Sequence, residues 1–99
     1  MDRYVVALTV IAAYDISDDG RRSRVAALLQ AHGDRIQKSV FLLDVTADIL
    51  DDIRARSSAI LDLDEDSLYL FRQCGHCWDE VALIGQANKP QRVLYWATW

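Results

Sequence analysis

The sequence has 99 residues, a length typical of one domain, and 52% hydrophobic against 26% charged residues is enough to form a compact core. A chain of this length buries roughly two-thirds of its unfolded surface, so it does not require disulfides. Its net charge of −4, taken alone, argues against a nucleic-acid partner. The composition therefore predicts one globular domain.

The cysteines and the longest apolar run argue against two further classes of protein. Cys74 and Cys77 are too close in sequence to join distant elements, which favours a reducing cytoplasm over a secreted disulfide scaffold. The run from Tyr4 to Tyr14, interrupted only by Thr9, is shorter than the roughly 18 apolar residues of a membrane helix. We expect a cytoplasmic protein with no membrane partner, in which this run is the first strand.

The first third of the chain predicts a strand followed by a helix. Residues 4–13 are apolar without polar alternation, which is typical of a central strand covered on both faces. A turn and cap cluster at residues 17–20 precedes an amphipathic helix with Val25 and Leu29 on its apolar face. We expect Gly33 to stop this helix.

The middle of the chain predicts further strands and a second helix. Residues 35–45 are rich in β-formers and indicate two short strands, or one strand bent near residues 39–42. Thr46 is expected to cap a helix on which Asp52 and Arg56, four residues apart, form an ion pair.

The last part of the chain predicts a strand at residues 67–72 and another at 92–99. The order strand, helix, strand pair, helix, strand indicates an α+β fold, the ferredoxin-like βαββαβ sandwich, here with an additional C-terminal strand. We assign residues 1–85 to the domain and residues 86–99 to a C-terminal extension.

One face of such a sheet is left without helices. Because the first strand is apolar on both sides, its second face also has to be covered, and another copy of the chain is the obvious candidate. We therefore expect a homodimer that joins through the sheet face. The C-terminal strand, with Trp96 and Trp99, is expected to pack at this interface.

The charges are unevenly distributed along the chain. The stretch from Gly20 to Lys38 is basic, whereas the stretch from Asp44 to Asp66 is acidic. The basic side chains are Arg21, Arg22, Arg24, Arg35 and Lys38. They could converge to bind phosphates or form an ordinary solvated face. Arginines at a helix N-terminus oppose the helix dipole, which hints at a role other than stability.

Asp15 directly follows the predicted buried strand, where an acidic side chain can point into a site at the sheet edge. Carboxylates are preferred ligands of Mg²⁺, although capping a turn or helix is the commoner use of Asp at such a place. If the dimer axis passes near this strand end, two copies of Asp15 could share one ion. That ion could activate a water molecule against a phosphodiester.

The segment from Cys74 to Cys77 contains two thiols and His76, which could be half of a zinc site or a redox pair. Only His32 could supply a further soft ligand, so we favour two ordinary thiols at a strand end. The aromatic side chains of the second half are similarly attributed to core and interface rather than to base stacking.

Two strings carry a resemblance to a known family. Tyr14-Asp-Ile-Ser-Asp-Asp-Gly-Arg-Arg-Ser-Arg-Val is followed by Gly33-Asp-Arg-Ile-Gln-Lys-Ser-Val-Phe41. Together with the acidic loop and strand Asp64-Glu-Asp-Ser-Leu-Tyr-Leu-Phe, they closely resemble the CRISPR-associated protein two family of small adaptation-module proteins. The resemblance runs from about Tyr4 to Gly85.

The resemblance implies a ferredoxin-like homodimer with Asp15 as the metal-binding and catalytic residue. The family's basic positions correspond to Arg22, Arg24 and Arg35. Some members show Mg²⁺-dependent cleavage of RNA or double-stranded DNA, and others show none. In the adaptation complex the dimer bridges two dimers of the CRISPR integrase subunit and holds the duplex of new spacer DNA.

Four hypotheses follow from the sequence. The leading one is a metal-dependent endonuclease of CRISPR spacer acquisition, with Asp15 as ligand of a shared Mg²⁺ and the basic side chains as phosphate contacts. The second is a noncatalytic dimeric bridge that holds duplex DNA for the integrase. The third is a toxin-like ribonuclease of the same fold, and the fourth is a ligand-sensing module unrelated to nucleic acid.

Overall fold

The computed structural model describes residues 7–85. Four strands and three helices follow one another in the order βαββαβα. They are β1 (Leu8–Asp15), α1 (Asp19–Gln30), β2 (Gly33–Gln37), β3 (Val40–Val45), α2 (Ala47–Ile60), β4 (Ser67–Gln73) and α3 (Gly75–Asp79).

The strands form one antiparallel sheet in the order β2-β3-β1-β4, with β1 hydrogen-bonded to β3 on one side and β4 on the other. Helices α1 and α2 contact each other and both contact β3. This element order and sheet order confirm the ferredoxin-like α+β sandwich and the central position of the first strand.

The core lies between the sheet and the two long helices. Val10, Ala12 and Tyr14 alternate along β1 and are buried, which places them on the helix-covered face. The residues that pack with them come from β3, α1 and α2 and include Phe41, Leu43, Val25, Leu29 and Ile53.

The predicted helix starts are confirmed by their caps. Asp18 caps α1, where its Oδ2 accepts a hydrogen bond of 2.8 Å from the Arg21 N–H. Thr46 caps α2 by accepting the Ile49 N–H. The expected Asp52–Arg56 ion pair is also present, at 2.8 Å.

Gly33 does not stop α1, which ends at Gln30 with Ala31 as its C-cap. Gly33 instead opens β2, where a Cβ atom would lie 2.0 Å from the carbonyl oxygen of Leu42 on β3. Close approach of two strands therefore explains this glycine better than helix termination does.

Of the two alternatives for residues 35–45, the structure has two short strands, and the reversal between β2 and β3 lies at Lys38 and Ser39, at the start of the expected bend. The predicted strand end holds for Cys74, which directly follows β4 and is the N-cap of α3, but is corrected for Cys77, which lies within α3.

Some predictions fall outside the described residues. These are the beginning of the first strand, the strand at 92–99 and the extension at 86–99 with its interface role. Within residues 7–85, none of the helices is long and apolar enough to cross a membrane.

Candidate functional site

A cleft of about 580 Å³ opens where β1 ends, beside the first turns of α1 and the β2–β3 turn. Its lining contains one carboxylate and three cationic side chains from separate parts of the chain. The lining residues are Tyr14, Asp15, Ile16, Arg22, Ser23, Ala26, Arg35, Lys38 and Ser39. The fold thus brings together four of the six candidate residues, Asp15, Arg22, Arg35 and Lys38.

Asp15 is the last residue of β1 and lies opposite Ser67 of β4 in the sheet register. It is exposed, and in the described part of the chain its carboxylate has neither a hydrogen bond nor an ion pair. The two neighbouring acids are engaged, since Asp18 caps α1 and Asp19 pairs with Arg22. Asp15 is therefore the carboxylate of this cleft that is available to a ligand.

Arg22 is held on the first turn of α1 by contacts with its own loop. Its Nη1 donates to the carbonyl oxygens of Ile16 at 3.1 Å and Ser17 at 3.3 Å, and Nη2 pairs with Asp19. The side chain is still 41% exposed. These bonds orient the guanidinium beside the end of β1 while leaving part of it open to a phosphate.

Arg35 lies on β2 directly opposite Phe41 of β3. Its guanidinium carbon is 5.1 Å from the centre of the Phe41 ring, a cation–π contact, and Phe41 is fully buried. A buried ring in a fixed position restricts the plane of the guanidinium above it. Arg35 itself is exposed to solvent.

Tyr14 fixes the turn that carries Lys38. Its hydroxyl donates to the Lys38 carbonyl oxygen at 3.2 Å, and its backbone N–H donates to the Ser39 carbonyl oxygen at 3.0 Å. The Tyr14 ring also stacks with Phe41, with centres 6.3 Å apart. One tyrosine therefore holds the β2–β3 turn beside Asp15.

Arg21 and Arg24, the other two basic candidates, are not among the lining residues. Arg21 Nε donates to Asp66 Oδ2 at 2.7 Å, and Nη2 donates to Glu65 at 3.4 Å. Arg24 lies on α1 three residues after Arg21 and is exposed. Its Nε donates to the Gly20 carbonyl oxygen at 3.4 Å. Contact of these two arginines with nucleic acid stays a prediction.

The donor set at the cleft fits a divalent cation only in part. Asp15 supplies one exposed carboxylate, and Mg²⁺ needs only one or two of these because it keeps several of its waters. Within residues 7–85, however, no three His, Cys, Asp or Glu side chains group closely enough to hold a metal ion. One chain could therefore supply part of a coordination shell but not a complete protein cage.

Tyr14 and Phe41 were not identified as site residues from the sequence, although both lie in the strings quoted above. Their roles depend on which residues face each other across β1, β3 and β2. Alternation along a single strand indicates only which face of the sheet a side chain lies on. Finding the roles of Tyr14 and Phe41 would have required a prediction of which residues of β2 and β3 lie opposite each other.

The sheet face opposite the long helices carries an aromatic pair. Tyr69 and Phe71 of β4 are 56% and 50% exposed, and their rings stack with centres 5.8 Å apart. Their neighbours on β1, Ile11 and Ala13, are partly buried. The part of this face around Tyr69 and Phe71 is therefore apolar and only partly covered.

Comparison with known proteins agrees with this fold. The family model described as CRISPR associated protein Cas2 matches residues 8–81. A Thermus thermophilus protein named CRISPR-associated endonuclease Cas2 2 is 38% identical over 79 residues, which cover 80% of this chain and 83% of the relative. The CRISPR-associated endoribonuclease Cas2 1 of Chloroflexus aurantiacus is 32% identical over 82 residues, covering 82% and 88% of the two chains.

A solved structure shows the same architecture. The crystal structure of Streptococcus pyogenes Cas2 at pH 6.5 matches with a TM-score of 0.69 and 31% identity, covering 78% of this chain and 99% of that one. The residues that the family model matches include all four strands, all three helices and every residue of the cleft lining. The chain therefore belongs to the Cas2 family of CRISPR-associated proteins.

Proposed function

We propose that this protein binds the phosphodiester backbone of RNA or duplex DNA in the cleft and, with a divalent cation held at Asp15, cleaves it during CRISPR spacer acquisition. The observation that carries the proposal is the presence of an unpartnered carboxylate in the same cleft as Arg22, Arg35 and Lys38. The names of the two relatives, endonuclease and endoribonuclease, support a nuclease but differ on the substrate.

The three cations give the cleft its affinity for phosphate. A guanidinium presents a planar fork of donors that matches two phosphate oxygens, whereas the Lys38 ammonium acts as a point charge. Arg22 is oriented by the loop carbonyls and Arg35 by the Phe41 ring. Because these side chains are positioned before the ligand arrives, they can also stabilise the charge that develops on a phosphate during cleavage.

Asp15 would be the protein ligand of the cation. A divalent cation bound there supplies a Lewis acid that polarises a phosphate oxygen and lowers the pKa of a water molecule. Asp15 itself would fix that ion at the end of β1, next to the phosphate held by the cations. We expect two copies of the chain to contribute one Asp15 each, since one chain offers a single carboxylate at this cleft.

The partly covered sheet face supports a homodimer. Tyr69 and Phe71 expose much of their rings on β4, and burying such aromatic surface is favourable. A two-fold axis uses the same patch on both copies, so a self-complementary aromatic patch on this face suits the symmetry.

Cleavage by purified protein tests the proposal. Short single-stranded RNA and duplex DNA are incubated with the native chain, Asp15→Asn and the control Asp64→Asn, each with Mg²⁺ or with a chelator. Asp64 is an exposed carboxylate outside the cleft lining, so its variant controls for a change in charge alone. We expect Mg²⁺-dependent cutting by the native chain and the control, and a loss of at least about 100-fold in Asp15→Asn.

A second candidate function is a noncatalytic bridge that holds duplex DNA for the CRISPR integrase subunit. The observation that favours it is the single carboxylate of the cleft lining, which cannot form a complete metal-binding cage by itself, beside three cations that can still bind phosphate. A homodimer presents two identical surfaces, so it could join two copies of the same partner.

The same assay separates the two candidates. No cutting by the native chain, combined with duplex binding that is retained in Asp15→Asn, would replace the nuclease by the bridge. Equal cutting by the native chain and Asp15→Asn would show that Asp15 is not the catalytic centre.

A further inference from the structure

The segment after β4 brings the only two cysteines of the chain together. Cys74 is the N-cap of α3, and its Sγ accepts the Cys77 N–H at 3.1 Å. The two sulfur atoms are 2.8 Å apart, and both residues are exposed free thiols. A turn of helix therefore holds two accessible thiols in contact, without any rearrangement of distant elements.

The surroundings of the two sulfur atoms differ. The contact with the Cys77 thiol and the hydrogen bond that Cys74 Sγ accepts from the Cys77 N–H both lower the pKa of the Cys74 thiol. The contact with Cys74, and the negative charge of its thiolate, raise the pKa of the Cys77 thiol. Since the thiolate is the nucleophile, Cys74 is suited to attack a disulfide first. Cys77 is suited to the second step, in which it attacks the sulfur of Cys74.

We propose that Cys74 and Cys77 form a reversible dithiol–disulfide couple that reacts with small-molecule disulfides. The site is separate from the cleft at the end of β1, and the proposal does not depend on the proposed function. Contact between the sulfur atoms and exposure of both thiols carry it.

The reaction is a balanced thiol–disulfide exchange. The Cys74 thiolate attacks one sulfur of a small disulfide, forming a mixed disulfide and releasing one small thiolate. Cys77 then loses its proton to solvent and attacks Cys74 Sγ, which forms the intramolecular disulfide and releases the second small thiolate. The protein is oxidised by two electrons and the small disulfide is reduced to two thiols.

Mass spectrometry after reaction with oxidised glutathione tests the couple, using the full chain with Mg²⁺ and other metals removed by chelator. We expect the native chain to lose two hydrogens and to keep no glutathione. Cys77→Ser should keep one glutathione on Cys74, because the second step is absent. Cys74→Ser should react about tenfold more slowly, since Cys77 is the weaker nucleophile of the pair.

Reduction with excess dithiol should return the native chain to its starting mass, and circular dichroism should show that both serine variants keep the fold. A native chain that retains glutathione on either cysteine would overturn the proposal, as would a native chain that does not react. Equal reaction rates of the two single variants would overturn the assignment of Cys74 as the attacking thiol. Cleavage and duplex binding are measured separately, so failure of this test leaves the cleft unaffected.

Discussion

Arg21 Nε donates to Asp66 Oδ2 at 2.7 Å, joining the first turn of α1 to the residue that precedes β4. The Asp66 side chain has no exposed surface, and the same carboxylate accepts the Asp62 N–H at 2.9 Å. The contact links residues 45 positions apart and closes the acidic loop over the helix start. Arg21 therefore joins two segments that are distant in sequence, whereas Arg22 pairs with Asp19 within the same helical turn.

This ion pair predicts how stability depends on pH. The bonded guanidinium lowers the pKa of the Asp66 carboxyl below its ordinary value of about 3.9. A group whose pKa is lower in the folded state binds its proton less readily there, so it contributes stability above the ordinary pKa. That contribution is lost as pH falls through the lower, folded-state value.

Urea unfolding of the native chain and Asp66→Asn measures the effect. We expect Asp66→Asn to unfold at lower urea at pH 7, and the gap between the two midpoints to narrow below about pH 4. Asp64→Asn, in the same loop but without an arginine partner, should unfold like the native chain at both pH values. A gap that stays constant down to pH 2 would show that the ion pair does not supply the stability.

The salt dependence of duplex binding identifies the phosphate contacts. We expect Arg22→Ala, Arg35→Ala and Lys38→Ala each to weaken binding similarly for all duplex sequences. Each should also reduce the slope of log affinity against log salt by about one unit, because each removes one phosphate contact. Fluorescence anisotropy over a range of salt concentrations gives these slopes.

Arg54→Ala and Arg56→Ala are the matched controls for that measurement. Both arginines are paired with a carboxylate, Asp51 and Asp52 respectively, and neither lines the cleft. Their slopes should equal that of the native chain. Reduced slopes in the controls and unchanged slopes in the cleft variants would place the nucleic acid elsewhere.

The aromatic sheet face predicts the effect of a buried charge on the dimer. Phe71→Asp places a carboxylate in the apolar face and should convert a dimer to a monomer, because burying an unpaired charge is costly. Leu63→Asp changes an apolar residue that is 73% exposed on the loop before β4 and should leave the dimer intact. Sedimentation at micromolar concentration distinguishes the species, and a native chain that sediments as a monomer would contradict the prediction.

Local sequence signals predicted much of the fold correctly. Thr46 and the Asp52–Arg56 pair each depend on residues within one turn of helix, and both are as expected. Gly33 shows where such signals fail, since its steric requirement comes from Leu42 on the neighbouring strand. A glycine that follows an amphipathic helix has the same local sequence pattern whether it ends the helix or allows two strands to approach closely.

For the candidate cleft, the sequence predicted the types of residue involved but not which of them come together. Asp15 and the basic segment stood out by residue type and position, but the sequence did not separate Arg22 from Arg21. The two arginines differ because Asp66 binds Arg21 and not Arg22. Asp66 comes close to Arg21 only when β4 has paired with β1. Long-range pairing of this kind depends on the finished topology rather than on any local pattern.

The number of divalent cations bound for each chain tests the shared metal site at Asp15 most directly. Mn²⁺ is titrated into the native chain and Asp15→Asn in the presence of short duplex DNA, and the bound ion is counted by electron paramagnetic resonance. We expect one ion for every two native chains and a loss of that ion in Asp15→Asn, with Asp64→Asn unchanged. The same number of bound ions in Asp15→Asn as in the native chain would contradict it.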